Sequence, residues 1–370
     1  MSEQPTITLV PAAAPTRMGD DEAAAVRAAM RGVLEDGPWV GGPAVEEFES
    51  AFAVASGTAH VVGTGNGTDA LALAMLALQL PAGSRVLVAA NEGGYAAIAA
   101  RMSGLVPLAM DIDERTMEPT AELAERAWTP SVSALVVTHL HGDPVDLGEL
   151  DEWRRRRGLT LIEDCAQAHG AVREGRRVGT TADAAAFSFY PTKNLGTIGD
   201  AGAVCFTDPA AAQRARSLGQ YGWGARHRTE LRGGRNSRMD PMHAAILTAR
   251  LPWLEARNVR RRSISDRYRV AVDGSGLEML GDSRYTVAHH AVLVAPERAA
   301  LAEHLATHGI ATAIHYPYLL GDMPGLEVEG DATPNASGWR DRILSLPCFP
   351  EMTDDEVDRV VSALRSWDAR

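Results

Sequence analysis

The alternation of short apolar segments with helical segments constrains the fold of this chain more than any other feature of its sequence. Between residues 85 and 163, segments of strand length alternate with segments of helical pattern. The strands are predicted at 85–89, 106–111, 134–138 and 160–163, and the helices at 95–102, 119–127 and 147–157. Parallel strands need crossover connections, which helices usually supply. The pattern therefore predicts an α/β fold, with a mostly parallel central sheet covered by helices on both faces.

A long helical stretch separates two regions of different pattern. It covers residues 240–272 and is interrupted near Pro252. After it we predict a β-rich segment (284–294), a helix (297–308), a strand (311–315) and a last helix (354–367). Because 370 residues are enough for two hydrophobic cores, we interpret residues 1–250 as a large domain. Residues 251–370 would form a smaller C-terminal α+β domain.

Composition narrows the classes of function. The net charge of −12 argues against nucleic acid or an anionic membrane as a partner attracted by bulk charge. No apolar stretch approaches the roughly 20 residues that span a bilayer, and residues 1–10 lack the regions of a signal peptide. Cys165, Cys205 and Cys348 show no paired spacing. We therefore expect a protein of the reducing cytoplasm.

The segment around Lys193 carries the first chemical signal. This lysine lies in a short, apolar, turn-forming segment between predicted strands at 184–189 and 203–206. It has two interpretations. It is either a surface amine with a buried stem, or an amine dry enough to lose its proton and form a Schiff base with pyridoxal phosphate (PLP). One lysine alone does not decide between them.

Two further features favour the second interpretation. Asp164 follows an apolar strand, where open α/β sheets bind ligands, although an Asp there also caps turns. Gly63, Gly65 and Gly67 lie between a strand and a helix, where a turn binds phosphate. Thr68 stands where a dinucleotide fingerprint needs glycine, so a single phosphate fits better; a plain helix start capped by Thr68 is the alternative. Together with the lysine, these features predict a PLP site.

These residues lie in motifs that resemble the nucleotide-sugar aminotransferases of the DegT–StrS family, which have the aspartate aminotransferase fold (fold type I). The resemblance covers nearly the whole chain, at residues 48–52, 65–71, 139–144, 163–170, 188–202, 236–240, 314–317 and 345–350. It implies a PLP-dependent enzyme. In such an enzyme Lys193 would bind the cofactor covalently and shuttle a proton, and Asp164 would pair with the pyridine nitrogen.

The resemblance also implies the other cofactor contacts. Gln167 would hydrogen-bond the ring hydroxyl, and Ala166 would pack on one ring face. The phosphate would be held by Gly67, Thr68 and Ser188, with Asn236 reaching it from the neighbouring subunit of a homodimer with shared active sites. On the other ring face the family has an aromatic residue. The stretch 91–95 departs from that pattern, and Tyr95 is the candidate there.

Substrate contacts are expected from two other segments. Arg226 and His227 belong to a basic stretch before Asn236, which is either a solvated loop or a site for the substrate diphosphate. His315 and Tyr316 would face the sugar. The spacing of His139 and His141 suggests a metal pair, but a strand there would offer no third ligand, so we expect no metal site.

The resemblance implies a transaminase that moves an amino group from glutamate or glutamine to a nucleotide-linked keto-deoxysugar, with dTDP as the expected nucleotide. Gln167 and the run 189–196 resemble the branch that aminates sugar C3. The alternatives are amination at C4, a cyclitol acceptor and, from a different class, a catalytically idle regulatory or sensor protein on the same scaffold. Lys193 and Asp164 argue against the last, because an idle protein would usually have lost one of them.

Overall fold

The computed structural model describes residues 9–367. Residues 1–8, on which the expectation of no signal peptide largely depends, and residues 368–370 lie outside this range. The helices are α1 (Asp20–Asp36), α2 (Pro43–Ser56), α3 (Gly67–Ala77), α4 (Tyr95–Met102), α5 (Ala121–Ala127), α6 (Gly148–Arg157), α7 (Pro209–Gly219), α8 (Pro241–Arg250), α9 (Leu254–Val272), α10 (Arg298–Thr307), α11 (Pro334–Arg340) and α12 (Asp354–Arg365). The strands are β1 (His60–Thr64), β2 (Arg85–Ala89), β3 (Val106–Met110), β4 (Val132–Thr138), β5 (Thr160–Asp164), β6 (Val172–Arg173), β7 (Arg176–Arg177), β8 (Ala184–Ser188), β9 (Gly202–Phe206), β10 (Trp223–Ala225), β11 (Arg228–Thr229), β12 (Glu278–Met279), β13 (Ala291–Val294) and β14 (Ile343–Leu346).

A seven-stranded sheet forms the centre of the larger region. Its strand order is β1-β9-β8-β5-β4-β2-β3. β9 runs antiparallel to both of its neighbours, and the other pairs are parallel. The prediction of a mostly parallel sheet is therefore confirmed, and the strands β2, β4, β5 and β8 all end at the same edge.

The sheet is covered on both faces because successive side chains of each strand point to opposite sides. In β4, Leu135 and Val137 pack in one apolar cluster with α5 and α6. Ala134 and Val136 pack in another cluster with α3 and α4. A strand buried on both faces needs a continuous run of apolar residues, and these runs are the reason why the strands could be predicted from the sequence.

A separate apolar cluster defines the smaller region. β12, β13 and β14 form a three-stranded antiparallel sheet, which packs with α9, α10 and α12. Val10 also belongs to this cluster and pairs with Ile310, so the beginning of the described chain packs against its end. The division at residue 250 stays a prediction.

The long helical stretch after residue 240 has the predicted interruption. α8 and α9 are separated by one 3-10 turn, Leu251–Trp253. Pro252 in this turn has no N–H to donate to the preceding turn, which accounts for the break. With 19 residues, α9 is the longest helix of the described part of the chain, and it is rich in arginine. No helix within residues 9–367 is both long and apolar enough to cross a bilayer.

The predicted strand at 311–315 is wrong. Only Ala313 pairs in sheet fashion, with Ser345 of β14. Two residues earlier, the N–H of Ala311 donates to the carbonyl of Val10 instead, at 2.9 Å. Because the segment divides its hydrogen bonds between two partners, it forms no continuous ladder, and it passes on to His315 and Tyr316 as an irregular loop.

Candidate active site

Three chain segments meet at the carboxyl edge of the large sheet. Asp164 is the last residue of β5 and Ser188 is the last residue of β8, its parallel neighbour. The start of α3 lies directly against β8, since a Cβ at Gly67 would lie 2.7 Å from Ser188 Cβ. The structure therefore brings together Gly67 and Ser188, two predicted phosphate contacts that lie far apart in sequence.

The first turn of α3 offers backbone donors to an anion. Asn66 caps this helix, because its Oδ1 accepts from the N–H of Asp69 at 2.8 Å. Thr68 is therefore not the cap. Among the described residues, the N–H groups of Gly67 and Thr68 have no acceptor. Free N–H groups at the positive end of a helix suit a phosphate.

Replacing Gly67 with alanine is expected to weaken PLP binding by about ten- to a hundredfold, which corresponds to ~1–3 kcal/mol of overpacking. The added methyl would collide with Ser188 and displace the start of α3. The dissociation constant can be measured by titrating the cofactor-free protein with PLP. Gly65→Ala is the matched control, because its Cβ would have no neighbour closer than Ser237 Oγ at 3.4 Å. Equal affinities for the two variants would contradict the close approach at Gly67.

Lys193 is the only lysine in the 370 residues. Its loop is fixed by backbone bonds, since Lys193 N–H donates to the carbonyl of Tyr190 at 2.9 Å and Thr197 N–H to that of Phe189 at 2.8 Å. Burial disfavours the ammonium and lowers the pKa of Lys193 to about 8, although nearby Asp164 raises it. A lysine with a lowered pKa beside a carboxylate fits the Schiff-base interpretation better than a solvated amine does.

Asp164 is buried beneath this lysine loop. Its Oδ1 accepts from the N–H of Ala166 at 3.0 Å. Burial raises the pKa of Asp164, while the Ala166 N–H and the charge of Lys193 lower it. A further cation facing the carboxyl group would stabilise its ionised form, as a protonated pyridine nitrogen does.

Gln167 joins both sides of the site. Its Oε1 accepts from the N–H of His141 at 2.6 Å, and its Nε2 donates to Tyr316 Oη at 2.8 Å. Ala166, one residue earlier, is half-buried, as a residue that packs against a bound ring would be. The two hydrogen bonds of Gln167 hold its side-chain amide in one orientation, because the amide oxygen can only accept and the amide nitrogen can only donate.

Two tyrosines lie near Gln167. Tyr95 begins α4 and its side chain is 46% exposed. Tyr316 comes from the smaller region, and the two ring centroids are 6.0 Å apart in an edge-to-face arrangement. Tyr316 therefore contacts Gln167 directly and Tyr95 lies beside Tyr316, and the assignment of one of them to the second face of the cofactor ring stays a prediction.

A buried acid, Glu92, was missed by the sequence reasoning. Only 2% of it is exposed, and its carboxylate accepts from the N–H groups of Ala96 and Ala97 at the start of α4. Burial is the main cause that raises the pKa of Glu92 to about 7; the charge of Asp164 acts in the same direction, and the N–H groups at the start of α4 oppose it. The available signal was its position after β2, at the same edge as Asp164.

A group of histidines lies near Lys193, with His290 and His315 from the smaller region and His141 from the turn after β4, and most of this group was also missed. The rings of His290 and His315 stack with centroids 3.7 Å apart, and His290 Nδ1 lies 3.3 Å from His141 Nδ1. Burial lowers the pKa of His315 to about 4 and that of His141 to about 3. Near neutral pH these imidazoles are uncharged and suited to hydrogen-bonding a polar ligand.

His139 belongs to a separate structural network. It follows β4 rather than lying within it, and its Nδ1 accepts from the N–H of Val145 at 3.0 Å. The ring proton is therefore on Nε2, which donates to Glu163 at 2.9 Å. Glu163 also accepts from the N–H groups of Gly179, Thr181 and Ala182. Cys165 lies close enough to His139 and Glu163 to complete a group of three potential metal ligands. The hydrogen bonds above, however, already engage both nitrogens of His139 and both oxygens of Glu163 within the protein.

The remaining predicted site residues are exposed and do not belong to the group formed by Lys193, Asp164 and Gln167. Arg226 and His227 are exposed in the turn between β10 and β11. Within residues 9–367, no hydrogen bond or ion pair joins them to Lys193, Asp164 or Gln167. Asn236 is also exposed, although its neighbour Ser237 accepts from the N–H of Gly65 at 3.1 Å.

Comparison with known proteins gives a consistent answer. The model of the DegT/DnrJ/EryC1/StrS aminotransferase family matches residues 20–365. A dTDP-3-amino-3,4,6-trideoxy-α-D-glucose transaminase from Streptomyces venezuelae is 38% identical over 351 residues, which are 93% of this chain and 92% of that protein. The erythromycin biosynthesis sensory transduction protein EryC1 of Saccharopolyspora erythraea is 38% identical over 349 residues, 91% of this chain and 94% of that protein.

A solved structure extends the similarity to the fold. The crystal structure of S. venezuelae DesV in complex with a ketimine intermediate superposes with a TM-score of 0.94 at 36% identity. The match covers 98% of this chain and 99% of that one. The site of this chain also fits PLP on its own geometry, since it has free N–H groups at a helix start, one lysine with a lowered pKa and a buried carboxylate beside it. The chain therefore belongs to the DegT/DnrJ/EryC1/StrS aminotransferase family and is a PLP-dependent sugar aminotransferase.

Proposed function

We propose that this enzyme aminates C3 of a keto-deoxysugar carried by a nucleotide, with dTDP as the nucleotide and glutamate or glutamine as the amino donor. The observation that carries the proposal is the desolvated ε-amine of Lys193 beside Asp164 at the carboxyl edge of the sheet. The choice of C3 is supported by similarity to a transaminase named for a 3-amino sugar, together with Gln167 and the run 189–196.

Each part of the site has a role in this reaction. PLP, when bound, supplies the electron sink that amino transfer needs. Lys193 Nζ would hold the cofactor and move a proton at the reacting carbon of the substrate. Asp164 would keep the ring nitrogen protonated, and Gln167 would hydrogen-bond the ring hydroxyl. Gly67, Thr68 and Ser188 would bind the phosphate.

The sugar would lie against the smaller region. His315 lies close enough to Lys193 that the lysine charge lowers the pKa of His315, together with the larger effect of burial. A neutral imidazole and a tyrosine hydroxyl suit sugar hydroxyl groups. His315 and Tyr316 are therefore proposed to face the sugar. Arg226 and His227 are proposed to bind the diphosphate.

We propose a homodimer in which Asn236 of each subunit reaches the phosphate site of the other. Large apolar side chains are exposed around the lysine loop, namely Tyr190 at 50% and Ile198 at 55%. Exposed apolar side chains close to a site favour a second protein surface over it. The basic turn at Arg226 and His227 is also exposed and lies near Asn236 in sequence, so it would approach the site of the partner rather than its own.

We propose the cytoplasm as the compartment, because all three cysteines are free and buried in the structure. Free thiols persist in a reducing environment.

The function is tested by offering the purified enzyme dTDP-linked 3-keto and 4-keto 6-deoxysugars in parallel, each with L-glutamate or L-glutamine. We expect amination of the 3-keto sugar, and NMR of the product would place the nitrogen at C3. Amination of the 4-keto sugar alone would assign the enzyme to the C4 alternative. A keto-cyclitol is offered as a third acceptor, and amination of it alone would assign the enzyme to the cyclitol alternative.

The regulatory alternative has its own test, and it is kept because EryC1 is named as a sensory transduction protein. The visible absorbance of the PLP-loaded protein is recorded before and after excess L-glutamate. A transaminase loses the band as the donor reacts. A band that survives every donor, together with no amination of any keto sugar, would favour a regulatory protein.

A further inference from the structure

The stretch after β2 contains two consecutive glycines at the edge of the sheet where the cofactor is expected. Gly93 and Gly94 both have positive φ, at 81° and 93°. Neither residue has a side chain, so the large sheet itself contributes no ring at these two positions. Positive φ and the absence of a Cβ both restrict these positions to glycine.

The space above Gly93 is filled by a ring from the smaller region. A Cβ at Gly93 would lie 2.6 Å from Tyr316 Cε2, 2.7 Å from its Cδ2 and 2.9 Å from its Cζ. These distances are far below van der Waals contact, so glycine is required for Tyr316 to lie where it does. The ring of Tyr316 thus occupies the place that a side chain of residue 93 would take.

A hydrogen bond holds Tyr316 beside Gln167, which is proposed to bind the ring hydroxyl of the cofactor. The Tyr316 hydroxyl accepts from Gln167 Nε2 at 2.8 Å. An amide nitrogen carries two hydrogens, so Gln167 keeps a second N–H for the ring hydroxyl of the cofactor. Burial raises the pKa of Tyr316, and the neighbouring Tyr95, Asp164 and Glu92 raise it further, which places these groups around it.

Tyr95 is less well placed for contact with the cofactor. Its side chain is 46% exposed, and it meets Tyr316 edge to face with ring centroids 6.0 Å apart. No hydrogen bond of the Tyr95 hydroxyl is formed within residues 9–367. Its position is that of a support beside Tyr316.

We propose that Tyr316, and not Tyr95, is the positioning residue that forms the aromatic wall of the cofactor site opposite Ala166. Gly93 makes room for this ring, and Tyr95 supports it from the side. The wall belongs to the smaller region, so the cofactor site is complete only when the loop after Ala313 is packed against the large sheet. This inference rests on the proposed function of the same site.

The test compares Tyr316→Leu, Tyr316→Phe and Tyr95→Leu in the full-length holoenzyme. The measurements are the dissociation constant of PLP and the induced circular dichroism of its visible band. Loss of a stacked ring is expected to weaken PLP binding about tenfold in Tyr316→Leu and to change the sign or size of the dichroism. Tyr316→Phe keeps the ring and is expected to stay within about threefold of wild type. Tyr95→Leu is expected to do the same.

The outcomes separate the possible roles. A tenfold loss in Tyr95→Leu with none in Tyr316→Leu would overturn the inference and assign the wall to Tyr95. A Tyr316→Leu enzyme that binds PLP as wild type does, but has a raised KM for the sugar, would make Tyr316 a substrate contact only. If the wild-type protein shows no PLP band at all, the proposed function fails instead.

A second measurement covers the case in which Tyr316→Leu does not fold. Hydrogen exchange of the wild-type protein is followed with and without PLP. Slower exchange in the segment 313–318 on PLP binding is expected, because the cofactor packs against Tyr316. Unchanged exchange there, in a protein that does bind PLP, would overturn the inference.

Discussion

Lys193→Ala is expected to abolish the visible PLP band and to lower transamination on the order of a thousandfold or more. Two functions are lost together, the covalent hold on the cofactor and the transfer of a proton at the substrate carbon. Burial lowers the pKa of this amine from the ordinary lysine value of 10.5 to about 8, so a larger fraction of it is neutral near pH 7. The lowered pKa of the lysine is therefore part of its reactivity.

The result of this experiment can be assigned to one residue, because the chain has no other lysine that could bind PLP covalently. Borohydride reduction of the loaded wild type should fix the cofactor on the peptide that contains residue 193, as seen by mass spectrometry. Lys193→Arg is the matched control, since it keeps the positive charge without a reactive amine, and it is expected to be as inactive as the alanine variant. An added small amine should restore part of the proton transfer in Lys193→Ala. A variant that keeps both the band and the activity would show that Lys193 does not hold the cofactor.

Asp164→Asn is expected to lower the transamination rate about a hundredfold while PLP still binds. Asparagine keeps an oxygen for the N–H of Ala166 but has no charge to keep the ring nitrogen protonated. An unprotonated ring is a poorer electron sink, so the proton transfer at the substrate carbon slows. The single-turnover rate with L-glutamate, followed at the visible band, measures this step directly.

Two controls make the result specific. Asp164→Glu keeps the charge and is expected to retain more activity than the asparagine variant. Asp111→Asn changes a carboxylate just after β3 at the same edge of the sheet, where it accepts from the N–H groups of Asn335 and Ala336. It is expected to leave the single-turnover rate nearly unchanged in folded protein. A rate for Asp164→Asn equal to wild type would exclude a role of Asp164 at the ring nitrogen.

The sequence was most informative where function depends on local backbone pattern. Apolar runs of strand length at regular spacing predicted the parallel sheet, and carboxyl ends of parallel strands necessarily share an edge. Asp164 and Ser188, at the ends of β5 and β8, could therefore be placed at the same edge. The glycine turn before α3 was visible for the same reason, although the cap proved to be Asn66.

The sequence was least informative where distant segments meet. Gln167 and Tyr316 are hydrogen-bonded although they are 149 residues apart in sequence. His141 and His290 have the same separation and are also hydrogen-bonded. No periodicity connects such pairs. The same holds for the predicted strand at 311–315, where the competing partner Val10 lies about 300 positions earlier in the chain.

By itself, the sequence determined the α/β architecture, the family and the identities of Lys193 and Asp164, because these depend on local patterns and on residue types that only certain chemistry needs. Only the tertiary structure decided which groups are buried together. Burial lowers the pKa of Lys193, raises that of Glu92 and brings Tyr316 over Gly93. Desolvation and side-chain contact are properties of the packed interior, and they arise only when the two regions close on each other.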